Sequence, residues 1–142
     1  MTNQATIREA RADDLPFLAE NDCHVHSDVL GALVERGQIL VAEEEGILRG
    51  WLRWNLFWDE IPFMNMLFVL ESHRGRGLGN SLVESWEGHL RTAGYDSVLT
   101  SSLANEQAQH FYRRCGYIDF GALFLPGEST EIIFRKDLAV PS

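Results

Sequence analysis

Lysine is nearly missing from this chain of 142 residues: Lys136 stands alone beside eleven arginines. Basic residues total 12 against 21 acidic ones, a formal net charge of −9. Binding duplex nucleic acid takes a basic, phosphate-neutralising face, so this balance argues against a nucleic-acid partner and mildly favours a cationic one. Cysteine is scarce as well. Cys23 and Cys115 are isolated, too few for a disulfide framework or a zinc site, and both read as reduced structural residues suited to a cytoplasmic protein. Long apolar runs are missing too. None approaches about 18 residues, and the opening MTNQATIREA has no apolar leader region, so no membrane span or membrane partner is expected.

What is present is ordinary globular material. With 45% hydrophobic residues the chain can bury one core, and its length suits a single domain, 1–142. ATIREA (5–10) reads as a strand. Residues 12–22 read as a helix with Asp13 or Asp14 near its start and Pro16 in its first turn. Residues 27–37 repeat the helical spacing through Val29, Leu30, Leu33 and Val34, closed by Gly37. QILVAEEEGILRGWLRWNLFW is a hairpin turning at Glu44–Gly46. In its long second strand Leu52, Trp54, Leu56 and Trp58 share one face, with Trp54 and Trp58 expected toward the core.

DEIP (59–62) reads as the next turn, and FMNMLFVL (63–70) as a central strand apolar on both faces apart from Asn65. Residues 78–93 form a helix with the stripe Leu78, Leu82, Val83, Trp86 and Leu90, ended by Gly94. A strand at 95–101 and a helix at 105–117 follow. That helix is expected to be capped by Asn105, with Ala108, Phe111, Tyr112 and Cys115 on its apolar-leaning face. YIDFGALFL and TEIIFRKDL close the chain as strands. The order is βααβββαβαββ, a mixed α+β sheet with helices on both faces.

The stretch HRGRGLG (73–79) lies where the central strand ends and a helix begins. Residues without Cβ let backbone N–H groups converge on phosphate oxygens, and the positive end of the following helix adds to the attraction. Spacing discriminates among loops that share this physics. A G-x-G-x-x-G fingerprint from Gly75 needs glycine at Asn80; a P-loop needs a lysine, and none is here. A protein-kinase loop needs a later strand lysine, and Lys136 is six residues from the end.

What remains is Arg74-x-x-Gly77-x-Gly79. It resembles the acetyl-CoA pyrophosphate loop of the GNAT superfamily of N-acetyltransferases, Q/R-x-x-G-x-G/A. NEQAQHFYRRCGY resembles the second signature segment of that superfamily through Asn105, Ala108, Phe111–Tyr112 and Gly116–Tyr117. The two segments stand in the family's order, and residues 5–137 can be laid on its element order.

The resemblance implies a mostly antiparallel sheet splayed beside the central strand, with acetyl-CoA as cosubstrate; no metal is expected, since His24-x-His26 is too small a cluster for a metal site. Backbone groups of Leu67, Phe68 and Val69 would meet the pantetheine arm, and unpaired N–H and C=O groups at a splay are ready partners for its amides. The N–H groups of Arg74, Gly75, Arg76, Gly77, Leu78, Gly79 and Asn80 would surround the pyrophosphate, with Arg74 and Arg76 adding charge. Asn105 would touch the cofactor arm, a role compatible with a plain helix cap. Tyr112 would be the general acid that protonates the departing thiolate, since a phenol is protonated at neutral pH; the alternative is packing alone.

The general base is less defined. Some members of the family carry a glutamate on the central strand, where this chain has Phe63, Met64 and Asn65. Glu60 or Asp59 in the preceding turn, His24 or His26 between the first two helices, and a water relay all remain as sources. Trp51, Trp54, Phe57 and Trp58, with Phe124, are either core or the wall of a pocket for an apolar amine. The expected activity is acetyl transfer to a primary amine of a small molecule or peptide. The alternative is a CoA-binding sensor or interaction module without turnover. The apolar edge of the closing strands suggests a homodimer.

Overall fold

The computed structural model describes residues 5–138. The first four residues of the amino-terminal stretch lie outside them. Seven strands form one sheet in the order β1-β2-β3-β4-β5-β7-β6. They are β1 (Thr6–Glu9), β2 (Ile39–Glu44), β3 (Ile47–Phe57), β4 (Ile61–Val69), β5 (Ser97–Leu103), β6 (Ile118–Leu123) and β7 (Glu131–Asp137). The helices are α1 (Leu15–Asn21), α2 (Ser27–Glu35), α3 (Leu78–Thr92) and α4 (Ala108–Arg114). The β4–β5 pair is parallel, whereas β1–β2, β2–β3, β5–β7 and β6–β7 are antiparallel. The chain folds as two compact units. The first runs through Asn55 and takes in Met66–Trp86; the second is Leu56–Asn65 with the chain from Glu87 onward.

In the first unit, alternation puts Val41 and Trp51 on one face of the sheet and Leu40 and Leu52 on the other, in direct register. Leu18 of α1 and Leu30 and Leu33 of α2 pack with Ile39, Val41 and Trp51. Trp54 lies on the opposite face with Trp86 of α3, ring centroids 6.2 Å apart. Asp22, buried after α1, accepts Trp51 Nε1 at 3.1 Å and Arg53 Nε at 2.7 Å, which satisfies an otherwise costly buried charge. The α2 stripe is narrower than expected: Leu30 and Leu33 are buried, but Val29 is exposed.

Both early hairpins turn through two residues with positive φ, the geometry that matches strand twist. Glu45 (51°) and Gly46 (79°) join β2 to β3; Trp58 (56°) and Asp59 (58°) join β3 to β4. The second turn corrects two expectations. The turn occupies 58–60, so Ile61 and Pro62 already belong to β4. Trp58 leaves the alternation of β3 and stands 75% exposed instead of entering the core.

In the second unit, β7 pairs with both β5 and β6, so β6 alone is the sheet edge there. Tyr112 of α4 packs against Phe134 of β7 at 5.9 Å. Buried Glu87 accepts the Tyr117 hydroxyl and the Lys136 ammonium, each at 2.8 Å. Helix α4 is shorter than its sequence pattern: Gln107 holds the cap position, and Ala108 is exposed, off the packed face. Asn105 therefore lies in the preceding turn and does not cap the helix. Cys115 is half-buried, while Cys23 is exposed and plays no part in the core.

Candidate functional site

The glycine-rich loop lies wholly in the first unit. After β4 a single 3₁₀ turn, Glu71–His73, leads to Arg74 in extended conformation. Gly75 and Gly77 both adopt the left-handed region, at 76° and 82°, which a side chain resists. A Cβ on either would meet nothing within 4 Å, so conformation rather than crowding requires glycine. The Gly77 carbonyl accepts the Ser81 N–H at 2.9 Å, and α3 begins there. The loop thus runs into the first turn of a 15-residue helix, the end at which a helix carries its positive pole. The Leu78 side chain itself is buried.

Both loop arginines are engaged by protein. Arg74 Nε donates to the Val69 carbonyl at 2.8 Å, and its guanidinium lies 5.0 Å from the Phe68 ring centroid. Arg76 donates to the Glu44 carboxylate at 2.9 Å. Leu67, Phe68 and Val69 are half-buried at the end of β4. Behind them stands Gly50 of β3, where a Cβ would approach the Phe68 carbonyl to 2.7 Å and the Val69 Cα to 3.3 Å. Glycine here is a requirement of close strand approach.

The second unit carries Tyr112, Asn105 and Glu60. Tyr112 is buried, and that burial pushes its phenol up to about 12. The Thr100 side chain beside it acts in the opposite direction, and Thr100 Oγ1 donates its proton to the Met64 carbonyl at 2.9 Å. That bond joins β5 to β4, where Thr100 and Met64 are register partners. Glu60 and Asp59 are exposed in the β3–β4 turn, where the Glu60 N–H donates to the Phe57 carbonyl at 3.1 Å. Asn105 is exposed. In the first unit His24 and His26 are exposed, and the His24 N–H donates to Asp22 at 3.4 Å.

Four residues now stand out that motif reading passes over: Glu44, Arg49, Gly50 and Thr100. Only Gly50 carried a sequence signal, as a lone glycine inside a strand pattern. The others owe their place to tertiary pairing.

The family model for the acetyltransferase (GNAT) family matches residues 5–117, and the chain belongs to that family. Solved structures agree in fold. Ard1 from Thermoplasma volcanium is 17% identical with a TM-score of 0.84, covering 96% of this chain and 99% of its own. The ribosomal-protein-S18-alanine N-acetyltransferase from Escherichia coli is 16% identical with a TM-score of 0.79, covering 97% and 96%. The yncA protein from Salmonella typhimurium, solved with its cofactor acetyl-CoA, is 19% identical with a TM-score of 0.78, covering 97% and 96%. No curated protein matches the sequence.

Proposed function

We propose that this chain is an acetyl-CoA-dependent N-acetyltransferase acting on a primary amine of a small molecule or peptide. The observation that carries the reading is the loop at Arg74–Asn80, whose two left-handed glycines lead directly into the first turn of α3. A pyrophosphate is the chemistry that such a loop receives. In this reading Leu67–Val69 bind the pantetheine arm and Asn105 contacts the same arm.

The reaction is direct transfer. The neutral amine attacks the thioester carbonyl, forming the C–N bond, and the tetrahedral oxyanion accepts a hydrogen bond from the Val69 N–H. The C–S bond then breaks, and the thiolate takes the Tyr112 proton. The proton lost from nitrogen leaves through a water relay, because Glu60 precedes β4 while Val69 ends it nine residues on, beyond the reach of one side chain. Tyr112 suits its role because a buried phenol held up to about 12 is always loaded with its proton at neutral pH. The second reading is a CoA-binding module without turnover, favoured by Phe63, Met64 and Asn65, which leave that stretch of β4 without a carboxylate. The reading also includes a cytoplasmic location and a homodimer paired through β6.

The test is a thiol-release screen with acetyl-CoA against polyamines, amino acids, aminoglycosides and peptide amino termini, run beside thermal shift. Amine-dependent, sustained release of CoA supports the enzyme. Stabilisation by CoA without release supports the binding module, and stabilisation by a nucleotide but not by CoA removes both.

A further inference from the structure

The loop arginine Arg76 sits between the two left-handed glycines, Gly75 and Gly77. Glycine is the residue with the greatest conformational freedom, so this is where the loop most needs restraint. The restraint comes from the β2–β3 hairpin. Glu44, the last residue of β2, is buried, and its carboxylate accepts Arg76 at 2.9 Å. Arg49 stands on its other side, Nε 3.8 Å from the second carboxylate oxygen.

Arg49 reaches that position because of a bulge. Ala42 pairs with Gly50 while the next residue, Glu43, pairs with Leu48, so Arg49 is the extra residue of β3. The same residue serves the near end of the loop, where its carbonyl accepts the Leu70 N–H at 2.8 Å. One bulged hairpin thus grips the segment at both ends, at Leu70 by backbone and at Arg76 by charge. An exposed ion pair would mean little, but here the acceptor is buried and held between two guanidiniums.

We propose that Glu44 is a positioning residue for the pyrophosphate loop: through Arg76 it holds the N–H groups of Arg74–Asn80 in the shape that receives the two phosphates of CoA. This rests on the reading of that loop given above. The rival role has the opposite sign. If Glu44 merely withheld Arg76 from the pyrophosphate, removing its charge would release the arginine and tighten binding.

Calorimetry with CoA and with pantetheine, which lacks the pyrophosphate, separates these roles in wild type, Glu44→Gln and Arg76→Met. The expected result for Glu44→Gln is CoA binding weakened about tenfold, the scale of one charge-assisted hydrogen bond, with pantetheine binding unchanged. Tighter or unchanged CoA binding, or an equal loss for pantetheine, overturns the proposal. Should Glu44→Gln fail to fold, Arg76→Met, altered at a half-exposed side chain, decides by amide hydrogen exchange without ligand. Faster exchange across 74–80 is expected, and unchanged exchange overturns the tether. A wild type that binds pantetheine but not CoA, or neither, removes the pyrophosphate reading and this inference with it. CoA binding retained in Glu44→Gln removes the inference alone.

Discussion

Tyr112 keeps its proton through burial, which outweighs the opposing effect of the Thr100 side chain beside it. Replacing it with phenylalanine removes only the hydroxyl. In the proposed mechanism turnover in the thiol-release assay falls about 100-fold, the lower end for a lost general acid, with little change in KM for acetyl-CoA. Unchanged turnover across pH takes Tyr112 out of the chemistry. The raised phenol also gives an alkaline signature. The folded group holds its proton to about 12 while the unfolded one releases it near 10.0, so its stability contribution is complete below pH 10 and drains away as pH climbs toward 12. Tyr112→Phe should therefore unfold less steeply over that alkaline window when followed by circular dichroism. Thr100→Val takes from the buried Met64 carbonyl the side-chain donor it has at 2.9 Å. A loss of about 1–3 kcal/mol in urea unfolding is expected, largely restored by Thr100→Ser. Equal stability of all three proteins would contradict a stabilising Thr100–Met64 hydrogen bond.

Among the elements, β3 is the most constrained. Gly50 allows the Phe68 carbonyl to sit where a Cβ would be, and the obstacle is backbone, which cannot swing aside. Gly50→Ala should cost about 1–3 kcal/mol, read as a lower urea midpoint, and should also depress turnover because it displaces the strand end assigned to the thioester. A variant with wild-type midpoint and rate would show that β3 and β4 separate freely. The elements differ in how openly the sequence announced them. Helix α3 was fully legible: all five of its stripe residues are buried, since a 15-residue helix averages out local accidents. Helix α4 was not. Its seven residues start at a glutamine that supplies no side-chain cap bond, and the asparagine with the better capping chemistry lies outside. Trp58 misled because alternation continues on paper past the point where the backbone turns left-handed, a conformation that bulky residues rarely adopt. The phosphate-loop motif was legible as spacing, but its tether was not, because Glu44 and Arg76 are 32 positions apart and meet only once the chain has folded.

For the whole molecule, charge and edge set the expectations. A net charge of −9 should draw cationic acceptors, so KM for a polyamine or basic peptide should rise with ionic strength, whereas KM for a neutral-bodied amine should not. Binding of CoA at a hundredfold excess over Kd should add about 2.7 kcal/mol of stability, visible as a higher Tm. The β6 edge exposes Ile118, Phe120 and Leu123, with Phe124 and Leu125 beyond it. Light scattering coupled to size-exclusion chromatography is expected to give twice the chain mass, and Phe120→Lys to give the single chain; a monomeric wild type rejects the dimer.

Trp58 has a use beyond its misplaced pattern. Three of the four tryptophans, Trp51, Trp54 and Trp86, are buried, and only Trp58 stands in solvent. The protein therefore carries one red-edge fluorophore that iodide can quench, two residues from Glu60. An amine or peptide that settles near that turn would shield it, so acceptor binding could be followed optically without a label. The Trp58→Phe protein, its emission confined to the shielded indoles, is the blank against which that signal is read.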